Sequence, residues 1–225
     1  MNKSEALLRM EQLRKKAERG ASLEQWGMVG ILLLPVGLGL LIAGSTMREK
    51  ASEEMDVLYN EVFIREPFAS NFENVTFDTN EGFSEEMVES FKFGQMGNEF
   101  DSEAYGIGDY MGAHIERSNV TILDYDRSGK KKKNTETLFR GQMFVITFPE
   151  KIVSEERLAK NLKTISKRHK DAEIRIDENK LILAIDNGDG EMFYRKKKNQ
   201  VSFDEELSKV QNDMDDIKAM IKLML

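Results

Sequence analysis

The stretch "WGMVGILLLPVGLGLLIAGSTM", residues 26–47, contains no charged residue, although Asp, Glu, Lys and Arg make up 32% of the chain. As a single helix it would be about 33 Å long, enough to cross a hydrocarbon core of about 30 Å. It has no polar face, which a surface helix of a water-soluble domain normally shows. Trp26 lies where an interfacial aromatic residue would anchor a span. The sequence therefore predicts a transmembrane helix over residues 26–47.

Residues in and beside this stretch indicate where such a helix begins and what it contacts. Ser22 and Gln25 form a capping box, which predicts that the helix begins directly after them. Pro35 and frequent glycines would weaken a helix in water but are tolerated in membrane helices. Gly39 and Ala43 are a small-xxx-small pair, which either lets two helices pack closely or reflects the general frequency of glycine in spans.

Two other structures are open for the apolar stretch. The small residues Ala43-Gly44-Ser45 resemble a signal-peptide cleavage site. However, the 25 residues before the stretch are long for a signal peptide and carry four acidic residues among six basic ones. A hairpin that breaks at Pro35 and returns without crossing is the third structure, because each half would have only about ten residues.

Charge predicts the orientation and limits the partners. Six basic residues precede the stretch within 25 residues, and only Arg48, Lys50 and Arg65 follow it within 25. This bias predicts a cytoplasmic N-terminus with the domain on the outer side of a single-pass protein. The first 25 residues carry a net charge of +2 and the whole chain −7, so the part beyond the stretch carries −9. An acidic domain argues against nucleic acid as a partner.

The 225 residues leave room for one domain of ordinary size beside a span. We predict an amphipathic N-terminal segment (1–25), the transmembrane helix (26–47), a helical stalk (48–66) that ends at Pro67, and a soluble domain (67–225). The chain has no cysteine. Disulfides, zinc-thiolate sites, iron–sulfur clusters and cysteine nucleophiles are therefore excluded.

The predicted domain is α+β with a mainly antiparallel sheet. "NVTFD" (74–78), "GAHIERSNVTILDYD" (112–126) and "ETLFRGQMFVITFP" (136–149) are rich in β-branched and aromatic residues. The last of these is apolar on both faces, which predicts a central strand. "AEIRIDENKLILAID" (172–186) predicts a hairpin that turns at Glu178-Asn179. Short helices are predicted from Ser84 to about Gly94 and from Ser154 to about His169.

The last predicted element is a helix of about 22 residues that Ser202 and Glu205 would cap. Its apolar residues recur at alternating spacings of 4 and 3, which places them in one narrow seam. The seam either packs on the sheet of its own domain or forms a coiled coil between chains. Its residues are Phe203, Leu207, Val210, Met214, Ile217, Ile221 and Met224.

Three blocks resemble a bacterial family catalogued as domain of unknown function 3137, also labelled galanin: "REPFASNFENVTFDTNEGFSEEMVES", "GNEFDSEAYGIGDYMGAHIERSNVTI" and "TLFRGQMFVITFPEKI". The resemblance covers roughly residues 48–152, and residues 172–186 with the final helix resemble that family's C-terminal end. It implies a membrane anchor near the N-terminus, often of two spans, and no catalytic residues. The C-terminal half is shortened here, since the segment between "FPEKI" and "ISKRHKDAEI" is far shorter than in the family.

Residue types that carry chemistry are few. His114 and Glu116 share a strand face, as either a catalytic or metal-binding pair or ordinary polar residues. His169 lies among basic residues at a helix end, where positive charge complements the helix dipole. "GIGDYMG" (106–112) lacks the Lys-Ser/Thr of a phosphate loop and enters a strand. "DNGDGE" (186–191) fits a turn better than a calcium loop.

Two basic runs are the candidate contacts with anionic lipid or an acidic envelope polymer, although such runs are also common in solvated loops. They are Lys130, Lys131, Lys132 and Lys133, and Arg195, Lys196, Lys197 and Lys198.

Together these features predict a non-enzymatic, membrane-tethered module that binds or scaffolds an envelope component. The expected partners are membrane lipid and a membrane or envelope protein, with the oligomeric state open. No catalytic residue, metal ligand or cofactor is predicted. The alternative is an envelope enzyme whose site is built from scattered carboxylates.

Overall fold

A computed structural model of the protein describes residues 3–29, 34–125, 135–151, 172–186 and 203–225. The chain divides into two compact units, Met1–Ile64 and Arg65–Leu225. The first consists of helices, and the second contains a six-stranded sheet with packing helices. The predicted α+β class, with a C-terminal helix, is confirmed.

The first unit is a helical hairpin. Its helices are α1 (Lys3–Val29) and α2 (Leu34–Tyr59). Arg9 Nη2 lies 3.0 Å from Glu54 Oε2, and Arg48 Nη1 lies 2.8 Å from Glu24 Oε2. Early residues of α1 therefore pair with late residues of α2, so the two helices are antiparallel.

This hairpin corrects the prediction of one continuous helix over residues 26–47. The apolar stretch is divided between the end of α1 and the start of α2, as in the hairpin alternative. Pro35 lies in the first turn of α2, where its missing N–H costs no helical hydrogen bond. The capping box at Ser22 and Gln25 does not begin a helix either, because both residues lie within α1. In the part of the chain that the structure describes, no helix is both long and apolar enough to cross a membrane.

Small residues let α1 and α2 approach closely. Buried residues of α1 recur at spacings of 4, 3, 7 and 7, which follow the heptad repeat of a coiled-coil seam; they are Ala6, Met10, Leu13, Gly20 and Gly27. A Cβ atom on Gly20 would lie 2.8 Å from the Gly44 oxygen, so the two backbones touch at this level. The predicted small-xxx-small pair, Gly39 and Ala43, does not contact α1. Nothing lies within 4 Å of a Cβ on Gly39, and Ala43 is exposed.

The predicted stalk remains helical but does not end at Pro67. After α2 the chain forms a π-helical segment, Asn60–Arg65, and then α3 (Glu66–Asn71). Pro67 lies in the first turn of α3, where proline is compatible with a helix. Val62 and Phe63 are buried, so this part of the chain is packed and is not a bare connector.

The second unit is built on one sheet in which every neighbouring pair of strands is antiparallel. The strand order is β1-β2-β3-β4-β6-β5. The strands are β1 (Glu73–Asp78), β2 (Glu99–Tyr110), β3 (Ala113–Tyr125), β4 (Thr135–Thr147), β5 (Ala172–Asp177) and β6 (Lys180–Asp186). Glu178 has a φ of 53° between β5 and β6, which confirms the predicted tight turn.

Strand β4 is covered on both faces, as its sequence predicts. Phe144 and Ile146 belong to the core on the side of the C-terminal helix α5 (Phe203–Met224). Met143 and Val145 belong to the opposite core, which includes Val88 of the short helix α4 (Glu85–Ser90). Ser84 caps α4 by accepting a hydrogen bond from the Met87 N–H, which confirms the predicted start of this helix. The helix ends at Ser90, before the predicted end near Gly94.

The seam of α5 packs on the sheet of its own domain. Val210, Met214, Ile217 and Ile221 are buried with residues of β3, β4 and β6. This confirms the intrachain alternative for the seam. The predicted helix over 154–169 lies outside the described residues.

Strand β2 is absent from the sequence-based prediction. Its sequence, "EFDSEAYGIGDY", is rich in Gly, Asp, Glu and Ser, which are poor strand formers. Gly106 and Gly108 allow aromatic side chains to approach the strand closely. A Cβ on Gly106 would lie 2.9 Å from the Phe77 ring, and one on Gly108 would lie 3.0 Å from Phe72. The glycines thus make room for aromatic side chains against the sheet.

Candidate functional site

The apolar end of the hairpin, defined as residues 26–29 of α1 and 34–44 of α2, carries three of the exposed large apolar side chains of the first unit; Leu8 and Val57 are exposed outside it. Trp26 is 66% exposed, Met28 61% and Ile42 59%. Several large exposed apolar side chains at one end of an element favour a contact with a membrane or another molecule.

The apolar end has a defined polar boundary. Glu24, whose side chain is largely buried, pairs with the more exposed Arg48 across the two helices. A Cβ on Gly44 would lie 2.7 Å from the Glu24 backbone nitrogen, so Gly44 and Glu24 are at nearly the same level. From Gly44 to Leu34, α2 rises by about 15 Å. The charge-free end therefore extends about 15 Å beyond the last charged residue of α1.

Gly27 shows how the apolar surface is arranged around α1. It is buried, whereas Trp26 and Met28 on either side of it are exposed. Residues two apart on a helix point about 200° apart, because each residue turns the helix by about 100°. Trp26 and Met28 therefore project to opposite sides of the hairpin.

The predicted basic contacts lie outside the described residues. This applies to both runs, Lys130 to Lys133 and Arg195 to Lys198, and also to His169. Their contact with anionic lipid or an acidic polymer stays a prediction.

The structure does not pair His114 with Glu116. Nδ1 of His114 lies 2.9 Å from Asp109 Oδ1 on the neighbouring strand, and Asn74 donates a hydrogen bond to the other Asp109 oxygen at 2.9 Å. Glu116 instead accepts a hydrogen bond from the Tyr105 hydroxyl at 2.7 Å. The pairing differs because Asp109 is directly opposite His114 in the register of β2 and β3.

These pairs alter the acid–base properties of Asp109 and Tyr105. The hydrogen bond from His114, followed by that from Asn74, lowers the pKa of Asp109. Burial, followed by the hydrogen bond to Glu116, raises the pKa of Tyr105 well above its usual range. Within the described ranges, no three His, Asp or Glu side chains converge as a metal site would require.

A fully buried arginine lies inside the sheet domain. Arg117 of β3 donates hydrogen bonds to the Ala104 oxygen at 3.1 Å and to Asn119 Oδ1 at 2.6 Å. Its guanidinium carbon is 5.9 Å from the centre of the Phe144 ring. Ala104 has a φ of 59° where the register of β2 and β3 shifts. Arg117 therefore holds an irregular part of the sheet together, which the sequence pattern does not reveal.

The glycine-rich "GIGDYMG" segment is the end of strand β2 followed by a turn, whereas its glycines were expected only to lead into the next strand. Met111 and Gly112 have φ values of 52° and 84° and join β2 to β3. A phosphate loop would lead into a helix N-terminus, which this segment does not. Apart from Asp186, "DNGDGE" lies outside the described residues.

The hairpin seam was missed in the sequence, although its signal is present. The spacings of 4, 3 and 7 run from Ala6 through Met10 and Leu13 to Gly20, but the small members contribute little hydrophobicity. A search for small residues at coiled-coil spacing on both sides of Pro35 would have found it.

Comparison of the chain with protein-family models, curated proteins and solved structures gives no match. The resemblance to domain of unknown function 3137 therefore stays a prediction.

Proposed function

We propose that the protein is a membrane-attached, non-enzymatic module that holds an acidic α+β domain at a membrane and there binds or scaffolds an envelope component. The observation that carries this proposal is the exposed, charge-free end of the hairpin, with Trp26, Met28 and Ile42 at its surface. Full burial of an exposed Met or Ile side chain in an apolar medium is worth about 1.5–3 kcal/mol, and Met28 and Ile42 are each about 60% exposed. The three exposed side chains together favour association with a hydrocarbon phase.

The hairpin also changes the proposed topology. The Arg9–Glu54 ion pair brings the beginning of α1 next to the later part of α2. If the apolar end enters a membrane, the N-terminal segment and the chain that leaves α2 are on the same side of it. This replaces the sequence-based expectation that the two lie on opposite sides.

Membrane attachment is tested by fractionation of cells that express the full chain. We expect the protein in the membrane pellet after high-salt and carbonate washes, and in the supernatant after detergent. Release by salt alone would indicate a purely electrostatic attachment and would contradict the proposal.

The binding role is tested by purification from detergent with quantitative mass spectrometry. A stoichiometric partner that withstands washing would support a scaffold. Turnover of an envelope substrate by the pure protein, with no such partner, would support the alternative of an enzyme built on scattered carboxylates.

A further inference from the structure

We infer that the apolar end of the hairpin enters only one leaflet of a phospholipid bilayer and that its ligand is the acyl-chain region of that leaflet. This inference rests on the proposed membrane attachment and specifies its geometry. The protein would then be monotopic, with neither helix crossing the membrane.

The length of the apolar end fits one leaflet. It extends about 15 Å beyond the level of Glu24 and Gly44, and half of a hydrocarbon core of about 30 Å is also about 15 Å. Deeper entry would bring the Glu24–Arg48 ion pair into hydrocarbon, where charged groups are expensive. The ion pair therefore marks the depth at which insertion stops.

The distribution of exposed side chains favours a bilayer over a protein partner. A groove on another protein would cover one side of the hairpin. Trp26 and Met28 project to opposite sides of α1, and Ile42 adds an exposed apolar side chain on α2. Acyl chains surround an inserted element on all sides and can cover all three.

Trp26 is the only tryptophan in the chain, so its fluorescence reports this end without any labelling. The full-length protein is mixed with preformed vesicles of phosphatidylethanolamine and phosphatidylglycerol. We expect co-sedimentation, a blue shift of the Trp26 emission, and quenching by lipids brominated near the top of the acyl chains.

Sidedness separates one-leaflet entry from a single span, whose two ends lie on opposite sides of the bilayer. The depth of the bromine quenching separates it from a hairpin that crosses the bilayer. The chain has no cysteine, so Lys16→Cys on α1 and Lys50→Cys on α2 each introduce a unique thiol at an exposed position. With protein added from outside, an impermeant maleimide should label both variants fully. Protection of either thiol until the vesicles are opened would show a span and overturn the inference, while membrane attachment would stand.

Two charge variants and one control test the contact itself. Met28→Asp and Ile42→Asp place a charge on the apolar end and should weaken vesicle partitioning about tenfold or more. Val57 is equally exposed, at 60%, but lies far along α2 from this end. Val57→Asp should therefore bind like the parent, and far-UV circular dichroism should be the same for all three variants.

The remaining outcomes are also decisive. No binding to vesicles would refute the proposed attachment as well as the inference. Binding without a change in Trp26 emission would place the contact elsewhere and overturn only the inference. A blue shift that rises with protein concentration in the absence of vesicles would show that a second copy covers the apolar end, which also overturns the inference.

Discussion

Ile217 is fully buried between α5 and the sheet, in the same core as Phe144, Ile146 and Leu183. Ile217→Ala removes apolar contacts and leaves a cavity, so it should lower the free energy of unfolding by about 2–5 kcal/mol. Against a typical domain stability of 5–15 kcal/mol, this loss is large. Urea denaturation of the purified protein measures it.

The control for Ile217→Ala must be an exposed residue of the same helix. Asp216 appears suitable from the sequence, but it is half-buried, and Asp213 is buried. Ser208→Ala is the better control, because Ser208 is exposed and should change stability by no more than about 0.5 kcal/mol. Equal denaturation midpoints for both variants would mean that α5 does not pack as described.

Asp109 gives the protein an acid-sensitive contact. Since hydrogen bonds lower its pKa in the folded state, the carboxylate stabilises the fold above its unfolded pKa of about 3.9. That stabilisation is lost as the pH falls through the lower, folded pKa. Asp109→Asn should therefore lose stability less steeply than the parent protein below about pH 4, as measured by urea midpoints.

Asp101→Asn is the matched control, since Asp101 is an exposed aspartate on the same strand. Its stability should follow the parent curve through the acid range. A parent-like curve for Asp109→Asn would instead show that the contact with His114 and Asn74 does not stabilise the fold.

Individual residues were predictable where a periodic pattern controls them. The seam of α5 and the two faces of β4 follow from the spacing of their apolar residues, because that spacing places the same side chains against a core in either element. The partners of His114 and the burial of Arg117 cannot be predicted from spacing, because they depend on which residues of β2 and β3 lie opposite each other. That register depends on the shift between Glu103 and Gly106, which no local pattern signals.

At the scale of elements, the hairpin depends on the contact between glycines. Gly44→Ala would place a methyl group 2.7 Å from the Gly20 oxygen and the Glu24 nitrogen, so the helices must move apart. We expect a cost of about 1–3 kcal/mol. Spin labels on Lys16→Cys and Lys50→Cys should report a longer or broader distance in this variant.

Gly39→Ala is the matched control on the same helix. Nothing lies within 4 Å of the added Cβ, and alanine favours the helix by about 1 kcal/mol over glycine. The distance between the labels should not change. The same distance distribution in Gly44→Ala would contradict the close approach of α1 and α2.

Two elements differ from the leading sequence-based prediction for different physical reasons: the apolar stretch forms the alternative hairpin, and strand β2 was not predicted. The uncharged stretch has the length and composition of a span, and only the packing of α1 against α2 shows that it is divided. Strand β2 has poor intrinsic strand propensity and is held by its neighbours β1 and β3 and by the aromatic residues that its glycines admit. In both cases tertiary contacts outweigh the local signal.

At the scale of the whole molecule, the division at Arg65 predicts that the second unit folds without the first. A fragment of residues 65–225 should be soluble, unfold cooperatively in urea and no longer bind vesicles. Far-UV circular dichroism and vesicle sedimentation test these three properties. Aggregation of the fragment, or vesicle binding equal to that of the full chain, would contradict the division of roles between the units.

The fold class was accessible from sequence because many strand and helix signals agree with one another across residues 67–225. The sequence says less about the proposed role of the molecule. The apolar composition of residues 26–47 predicts contact with hydrocarbon, but it does not predict how the helices are arranged there. The two units also differ in kind. The hairpin packs small residues such as Gly20 and Gly44 beside Met10 and Leu13, whereas the core of the sheet domain consists mainly of large aliphatic and aromatic residues.

The antiparallel hairpin has a consequence for how the proposed membrane attachment would form. A single span would require either the ten charged residues that precede Trp26 or the acidic domain to be translocated through the bilayer. Each Asp, Lys or Arg at the bilayer centre costs about 2.5–3.5 kcal/mol. When only the uncharged end of the hairpin enters one leaflet, no charged segment has to pass. The protein could then fold completely in water first, associate without a translocation machine, and leave the membrane again intact.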